Sequence, residues 1–565
     1  MQLRKGILFS LVFLGFIKVF AQQELPLNWH LQDKQKDGLP GISLEKTYLE
    51  LLKDKRSKTL VVAILDSGVD FRHEDLKSVM WTNSKEIPGN NKDDDSNGYV
   101  DDIHGWNFIG GPNGNVAYDT YETTRLYAQM RYKFDNADPK KLNSDQKKEY
   151  ELYTKLKKDV EERRESAQKN LDQILQTEKF ISMALDALEV ALGDQEMNSA
   201  NLEKLGAGEE TQLMMGLAIA KEVVKDGLVF KNVAEFKQII LSDFVDGKAH
   251  YSKELEYAFN PDYDPRKIVG DNYTDFAQRF YGNNDVIGPD ASHGTHVAGI
   301  VAAQRNNDMG MDGIADNVRI MAVRCVPDGD ERDKDVANAI RYAVDNGASV
   351  INMSFGKGYS PQKELVDEAI KYAEEKDVLL VHAAGNAASD NDDLDNFPNK
   401  NFKKKKLFSC NKVSNWLEVG ASSFESGPDI VAGFSNYGKK QVDLFAPGVQ
   451  IYSTMPNNEY KHEQGTSMAS PVVAGVAALL RSYFPELTAK QVRKIILKST
   501  QKQDYDVIHP GTKKTEKFSA LSSTGGIVNV YQAVQMASKT KGKKKVKDGG
   551  VGPGDVMPTK VAPRS

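Results

Sequence analysis

Strand-like runs of six or seven residues recur along the chain, at 59–65, 318–323, 349–355, 378–384 and 416–421, and the first of them is β-branched and continuously apolar. Runs of this length and β-branched content are typical of strands buried on both faces of a sheet. Helical patterns near 334–344 and 363–375 separate several of them, and a last helix is expected at 528–536. Strands that alternate with helices predict an α/β fold, a doubly wound, mainly parallel sheet flanked by helices.

A polar turn leads directly into a long apolar segment at 464–480. Pro471 is expected in its first turn, where a missing N–H removes no intrahelical bond. Ser467 would then stand at a helix N-terminus, as an N-cap, which is the common local role, or as a nucleophile. The apolar positions fall at helical spacing and predict a buried helix: Ala469, Val472, Val473, Val476, Leu479 and Leu480.

Residues 119–259 differ in character from the rest, because Lys, Glu and Leu dominate while Gly and Pro are sparse. Helical spacing recurs there, for example at Leu152, Leu156 and Val160. Interleaved opposite charges are typical of a solvated helical surface. This stretch is predicted to be a large all-helical insertion between two parts of the α/β domain, 22–118 and 260–537.

The N-terminus has the pattern of a signal peptide over residues 1–21. Arg4 and Lys5 precede an apolar run from 7 to 20, and cleavage is expected after Ala21. A membrane anchor is the alternative, but the run is short for a bilayer and Lys18 interrupts it. The mature chain is therefore expected to be exported, secreted or periplasmic, with no stable membrane anchor.

Composition narrows the function further. A net charge of −6 over 565 residues indicates no nucleic-acid partner. The Lys-rich, then Gly/Pro-rich segment 538–565 is predicted to be disordered. Cys325 and Cys410 could form one disulfide in an oxidising compartment or remain separate buried thiols.

An acidic loop near residues 92–102 alternates oxygen-bearing side chains around Gly98 in the spacing of an EF-hand-type loop. His104 stands where that loop needs a bidentate Glu, so a complete EF-hand is not supported. The alternatives are a structural Ca²⁺ loop and a solvated acidic turn. The candidate Ca²⁺ ligands are Asp93, Asp95, Asn97, Asp101 and the backbone carbonyl of Tyr99.

Polar residues at the ends of apolar elements are the candidates for chemistry. Asp66 ends the first strand-like run, where open α/β sheets place their sites, although it could equally form a turn. His293 and His296 open a helix of small residues and share one of its faces. They could be a catalytic His with a structural neighbour, two packed histidines, or metal ligands. An Asp, a His and a Ser in these positions supply the parts of an activated nucleophile.

Three motifs carry a resemblance to a known family. Residues 66–68 (Asp-Ser-Gly), 293–299 (His-Gly-Thr-His-Val-Ala-Gly) and 465–471 (Gly-Thr-Ser-Met-Ala-Ser-Pro) resemble the Asp, His and Ser motifs of subtilisin-type serine proteases, the subtilases. The Asp…His…Ser order is also that of subtilisin. The resemblance covers roughly 25–118 and 260–537.

The resemblance implies roles for individual residues. Ser467 would be the nucleophile, His293 the general base and then acid, Asp66 the orienting carboxylate and His296 a structural histidine. Segment 383–386 (Ala-Ala-Gly-Asn) resembles the oxyanion-hole segment, in which Asn386 would donate to the oxyanion. Polypeptide substrates would pair with Ser354, Phe355 and Gly356 and lie against Ala383, Ala384 and Gly385.

The chain is thus expected to be a serine endopeptidase that needs no cofactor for its chemistry. Two features depart from the family: there is no room for a typical pro-domain before the first strand, and Asp66 and His293 are 227 positions apart (293 − 66). A binding or scaffold protein that acts through the helical insertion, and a metal-dependent hydrolase that uses both histidines, are the alternatives.

Overall fold

The computed structural model describes residues 25–206, 210–225, 227–403, 413–544 and 555–556. The predicted signal peptide, residues 1–21, lies outside these ranges. Of the predicted tail, 538–544 and 555–556 are described. Asp555–Val556 pairs antiparallel with Ser57–Lys58, and the rest of that prediction also lies outside the described residues.

A nine-stranded sheet forms the centre of the fold. Its strands are β1 Leu60–Asp66, β2 Gly105–Asn107, β3 Val318–Arg324, β4 Ala348–Met353, β5 Leu379–Ala383, β6 Trp416–Ser422, β7 Leu444–Pro447, β8 Gln501–Lys502 and β9 Gly526–Ile527. Their spatial order is β8-β9-β7-β6-β5-β4-β1-β3-β2. Neighbouring strands are parallel except β8 and β9, so the predicted doubly wound, mainly parallel sheet is confirmed.

Each face of the sheet has its own hydrophobic core, because successive side chains of a strand point to opposite faces. In β1, Val62 and Ile64 enter one core, while Ala63 and Leu65 enter the other. The first core contains the helices Ser292–Ala302, Thr466–Tyr483, Ala489–Lys498 and Val530–Ser538. The second contains Asp333–Asp345 and Lys363–Glu375.

Short elements complete the α/β domain. Before β1, residues 29–52 pack their apolar side chains into the first core. The short helices there are Trp29–Leu31, Lys34–Asp37, Leu44–Thr47 and Tyr48–Leu52. The short strands elsewhere are Gly110–Gly111, Gly114–Asn115, Ile451–Met455, Glu459–Glu463, Asp506–Ile508 and Thr515–Lys517. The remaining short helices are Arg266–Val269, Gly427–Ile430, Pro456–Asn458 and Phe518–Ala520.

Between Tyr121 and Phe259 the chain forms a helical arm. Its helices are Glu122–Phe134, Pro139–Lys141, Ser144–Leu192, Ser199–Lys204, Thr211–Val224, Val233–Lys253 and Glu254–Ala258. The 49-residue helix Ser144–Leu192 begins with a capping box formed by Asn143 and Gln146. No described helix is long and apolar enough to span a bilayer.

The arm has two separate hydrophobic cores. The proximal core packs Tyr127, Phe134 and Tyr153 against Phe259, where the arm ends. The distal core packs the end of the long helix against the helices that follow it, from Leu185 to Phe236. Glu178 and Lys248 form an ion pair of 2.5 Å across the two longest helices, between these cores.

Both ends of the arm meet at one root. The N–H of Tyr121 donates to the carbonyl of Ala258 at 3.0 Å. Buried ion pairs fix the root to the loop after β3 and to Lys357, which follows β4: Asp119–Arg332 at 2.7 Å and Glu122–Lys357 at 2.7 Å. The root therefore lies at the carboxyl edge of the parallel sheet.

Candidate active site

The carboxyl edge of the sheet also carries the candidate catalytic side chains. Asp66 is the last residue of β1, Ser354 follows β4, and Asn386 comes shortly after β5. Because these strands are parallel neighbours, their ends meet at one place. The helices that begin near this edge bring His293 and Ser467 to it.

Asp66 and His293 are in direct contact. Nδ1 of His293 lies 2.7 Å from Oδ1 of Asp66, which also accepts from the Ser67 N–H at 2.7 Å. The Asp66 side chain is 3% exposed, whereas that of His293 is 41% exposed. Burial of the ring lowers the pKa of His293, but the charge of Asp66 and the hydrogen bond to it raise that pKa by more, so it lies above its usual value.

A glycine makes this contact possible. A Cβ on Gly294 would lie 2.1 Å from the carbonyl oxygen of Gly68 and 3.1 Å from Cβ of Asp66. The His293 helix therefore approaches the end of β1 more closely than any residue with a side chain at position 294 would allow.

His296 has different partners from His293. Its Nε2 lies 3.1 Å from the carbonyl oxygens of Ile451 and Lys461, so it donates there. Burial lowers its pKa to about 4, which leaves the ring neutral at neutral pH. Among the described residues, no cluster of three metal-ligating side chains includes either histidine. This pattern fits a structural His296.

The helix that carries Ser467 begins two residues earlier than an N-cap role for Ser467 requires. It runs from Thr466 to Tyr483 with Gly465 as N-cap, so Ser467 is its second residue. Pro471 lies inside the helix, not in its first turn as predicted from the sequence. Because Pro471 has no N–H, it leaves the carbonyl of Ser467 without its i+4 donor. The hydroxyl of Ser354 donates to that carbonyl instead, at 2.9 Å.

The Ser467 hydroxyl is not used as a cap either. Oγ donates to the carbonyl of Ser354 at 3.2 Å, and the side chain is half-buried. In the described contacts, Oγ makes no hydrogen bond to His293, a bond that often forms only when substrate is bound. Ser467 thus presents its hydroxyl next to its own backbone N–H, which lies in the first helical turn and has no intrahelical acceptor.

Asn386 lies beside Ser467 with its amide oriented by Thr466. Its Oδ1 accepts from the N–H of Thr466 at 2.9 Å and from the Thr466 hydroxyl at 3.0 Å. Since a backbone N–H can only donate, the amide orientation is determined and Nδ2 is left as a donor. Gly385 N–H in turn donates to the Thr466 hydroxyl at 3.0 Å. The sequence reasoning missed this role of Thr466, although the residue lies within the Ser motif.

A buried carboxylate, an imidazole, a hydroxyl and an oriented amide donor therefore meet at one edge of the sheet. The model of the subtilase family matches residues 57–526, which is most of the chain.

The chain belongs to the subtilase family.

Curated relatives support this assignment. The chain is 42% identical over 224 residues to a thermophilic serine proteinase of Bacillus sp. (strain AK1), which covers 40% of this chain and 49% of the relative. It is 34% identical over 248 residues to the cell wall-associated protease of Bacillus subtilis (strain 168), and this match covers 44% of this chain and 25% of the relative. It is 35% identical over 279 residues to thermitase of Thermoactinomyces vulgaris, 47% of this chain and 85% of the relative. The first two matches thus span half or less of those relatives.

The predicted substrate-binding residues of the subtilase domain lie in two segments, each hydrogen-bonded to the start of the Ser467 helix. The first, Ser354, Phe355 and Gly356, follows β4, with Gly356 exposed. The second, Ala383, Ala384 and Gly385, lies at the end of β5. A second residue that sequence reasoning missed supports the Asp66 turn: the Arg324 guanidinium donates to the Ser67 carbonyl at 2.7 Å.

The acidic loop of this subtilase has a different set of close carboxylates from the predicted one. Oxygens of Asp93, Asp95 and Glu86 lie within 4.8 Å of one another, and the spacing of the acidic loop did not point to Glu86. Asp101 bonds the N–H groups of Gly89 and Asn91, at 3.0 and 2.8 Å. The predicted ligands Asn97 and Tyr99 bond each other, since the Asn97 side-chain oxygen accepts from the Tyr99 N–H at 2.8 Å.

Cys325 has a buried, free thiol at the end of β3. Burial raises the pKa of this thiol well above its usual range, so it stays protonated and inert. Cys410 lies outside the described residues.

Proposed function

We propose that this protein is an exported serine endopeptidase that cleaves polypeptides through an acyl-enzyme on Ser467. The observation that carries the proposal is the 2.7 Å contact between the buried Asp66 carboxylate and His293, next to the helix start that presents the Ser467 hydroxyl. Membership of the subtilase family supports the same chemistry. Export is proposed from the basic residues and apolar run of 1–21.

In the first half-reaction, Ser467 Oγ attacks the carbonyl carbon of the scissile bond and its proton passes to Nε2 of His293. Asp66 holds Nδ1–H and stabilises the imidazolium that forms. The negative charge that develops on the carbonyl oxygen is bound by the Ser467 N–H and by Nδ2 of Asn386. His293 then gives its proton to the leaving amine, and the acyl group remains on Oγ.

In the second half-reaction, a water molecule takes the place of the amine. His293 accepts a proton from the water while its oxygen attacks the acyl carbon, and the same two donors bind the oxyanion. Collapse of this intermediate returns the proton to Oγ and releases the acid product. No metal or organic cofactor is required for these steps.

We also propose a structural Ca²⁺ in the acidic loop. Carboxylate oxygens are the ligands that Ca²⁺ prefers, and Glu86, Asp93 and Asp95 bring three of them together. Such an ion would stabilise the loop without taking part in the reaction.

A fluorophosphonate probe tests the proposed nucleophile. It is expected to label one residue, Ser467, and labelling should abolish hydrolysis of peptides. Ser467→Ala should fold with an unchanged melting temperature, take up no probe and lose nearly all activity. Full activity in that variant would refute the assignment, and loss of activity with a chelator but not with the probe would favour a metal-dependent hydrolase.

A further inference from the structure

The ammonium group of Lys357 is buried directly after segment 354–356, and its side chain is only 1% exposed. An ammonium has three N–H donors, and each of them has an acceptor here. The acceptors are a carboxylate oxygen of Glu122 at 2.7 Å, the carbonyl of Glu331 at 2.8 Å and a carboxylate oxygen of Asp333 at 2.9 Å. Burial lowers the pKa of Lys357, but Glu122 and then Asp333 raise that pKa by more, so the group stays charged.

These acceptors belong to two other parts of the molecule. Glu122 is the first residue of the first arm helix, and its side chain is 4% exposed. Glu331 and Asp333 lie between β3 and the end of the first turn of the next helix. The backbone N–H of Glu122 also donates to a carboxylate oxygen of Asp330, at 2.7 Å. Lys357 therefore links the root of the arm and the loop after β3 to the segment that follows β4.

The opposite end of this segment is bonded to the proposed nucleophile. The hydroxyl of Ser354 donates to the carbonyl of Ser467 at 2.9 Å, and Oγ of Ser467 donates to the carbonyl of Ser354 at 3.2 Å. Only Phe355 and Gly356 separate Ser354 from Lys357 in the chain. Segment 354–356 is thus fixed at one end by the start of the Ser467 helix and at the other by the root of the arm.

We propose that Glu122 is a positioning residue of the peptidase, which acts through Lys357 to hold segment 354–356 in place for pairing with an extended substrate. This inference rests on the proposed function and adds a role for the root of the arm. A substrate that adds a strand to the segment needs the N–H and C=O groups of the segment at fixed positions. Without the charge of Glu122 the buried ammonium loses one of its two carboxylate partners, which favours a shift of Lys357 and of the segment before it.

The length of the substrate separates this role from the chemistry at Ser467. Two thioesters share the same residue before the scissile bond, and one of them carries three further residues on the acyl side. The ratio of their kcat/KM values, long over short, is the length gain. We expect a gain of about 10-fold or more in the wild type and a loss of most of it in Glu122→Gln, because small displacements of a binding group are costly. The rate of labelling by a small fluorophosphonate, which needs no strand pairing, should stay unchanged.

Lys357→Met tests the same link from its other end. It should lose the same length gain, and Glu122 keeps Arg125 as a partner at 2.8 Å in that variant. If the two residues act as one unit, the double variant should lose no more of the length gain than either single variant.

Asp271→Asn is the matched control, because it removes the charge opposite another buried lysine. The ammonium of Lys334 is 0% exposed and has three acceptors as well: Asp271 at 2.6 Å, the carbonyl of Asn272 at 2.6 Å and the side-chain oxygen of Gln278 at 3.3 Å. None of these contacts involves segment 354–356. The control should lose stability, measured as the melting temperature, and keep the wild-type length gain.

Four results would overturn this inference alone, provided that the wild type hydrolyses the thioesters. They are a wild type without a length gain, a full gain in Glu122→Gln or Lys357→Met, an equal loss in Asp271→Asn, and additive losses in the double variant. A wild type that hydrolyses neither thioester and no denatured protein would overturn the proposed function, and this inference with it.

Discussion

Replacing Asn386 tests the electrostatic part of the mechanism most sharply. The amide has two separable parts, because Oδ1 bonds Thr466 at 2.9 and 3.0 Å while Nδ2 remains for the oxyanion. Asn386→Leu removes both parts at similar volume. Asn386→Asp keeps the acceptor for Thr466 and removes only the donor.

The expected loss is large and falls on turnover. In subtilisin itself, removal of one such donor lowers kcat by about 10²- to 10³-fold, or about 2.7–4 kcal/mol of transition-state stabilisation. We expect a loss of this size in Asn386→Leu and at least as large a loss in Asn386→Asp, whose charge repels the oxyanion. KM should change little, because the donor acts on charge that develops only in the transition state.

Stability separates the two variants. Asn386→Leu also leaves the Thr466 N–H and hydroxyl without their acceptor, which costs about 1–3 kcal/mol of unfolding free energy where such groups are buried. Asn386→Asp retains that acceptor and should melt close to the wild type.

The assay measures kcat and KM on a peptide anilide, with active sites counted by fluorophosphonate uptake and melting followed by fluorescence. An Asn386→Asp variant with wild-type turnover would refute the reasoning. So would an effect confined to KM, since Asn386 would then bind substrate and not the oxyanion.

Three further outcomes are expected. Asp66→Asn should lower turnover by about 10⁴-fold. Because this variant loses the charge that raises the pKa of His293, the acid limb of the pH profile of kcat/KM should move to lower pH. An acid limb that does not move would contradict the pairing of Asp66 with His293. EDTA should lower the melting temperature, and Ca²⁺ should restore it. Glu86→Gln should abolish this response, whereas Asp101→Asn should keep it. Identical melting temperatures with and without Ca²⁺ would show that the acidic loop is a solvated turn. Replacing 179–247 with a short Gly/Ser linker removes the distal part of the arm and spares its root. If the arm hinders access to the active site, the rate of cleavage of a folded protein should rise relative to that of a peptide. An unchanged ratio of these two rates would show that the arm has no part in access.

The sheet could be predicted from the sequence because its signal is local. The strand-like runs at 59–65 and 416–421 coincide with β1 and β6 to within one residue, since strands buried on both faces need no strict polar alternation. In the same way, the Asp and Ser motifs pointed to the carboxyl end of β1 and to the start of the Ser467 helix.

The polar partners could not be predicted, because each depends on chain segments far apart in sequence. The buried ammonium of Lys357, for example, pairs with Glu122, from which the rest of the arm separates it in the sequence. The position of Pro471 was misjudged for a related reason. A Pro inside a helix is expected to cost a hydrogen bond, and only the structure shows that Ser354 supplies it.

The length of the long helix determines how far the distal end of the arm lies from the proximal core. From Val160, in the proximal core, to its last residue, Leu192, the helix rises about 1.5 Å per residue and extends about 50 Å. A flexible polypeptide held at the far end needs about 15 extended residues merely to return to the proximal core. A polypeptide bound at the far end would therefore be cleaved no nearer than about 15 residues from its point of attachment.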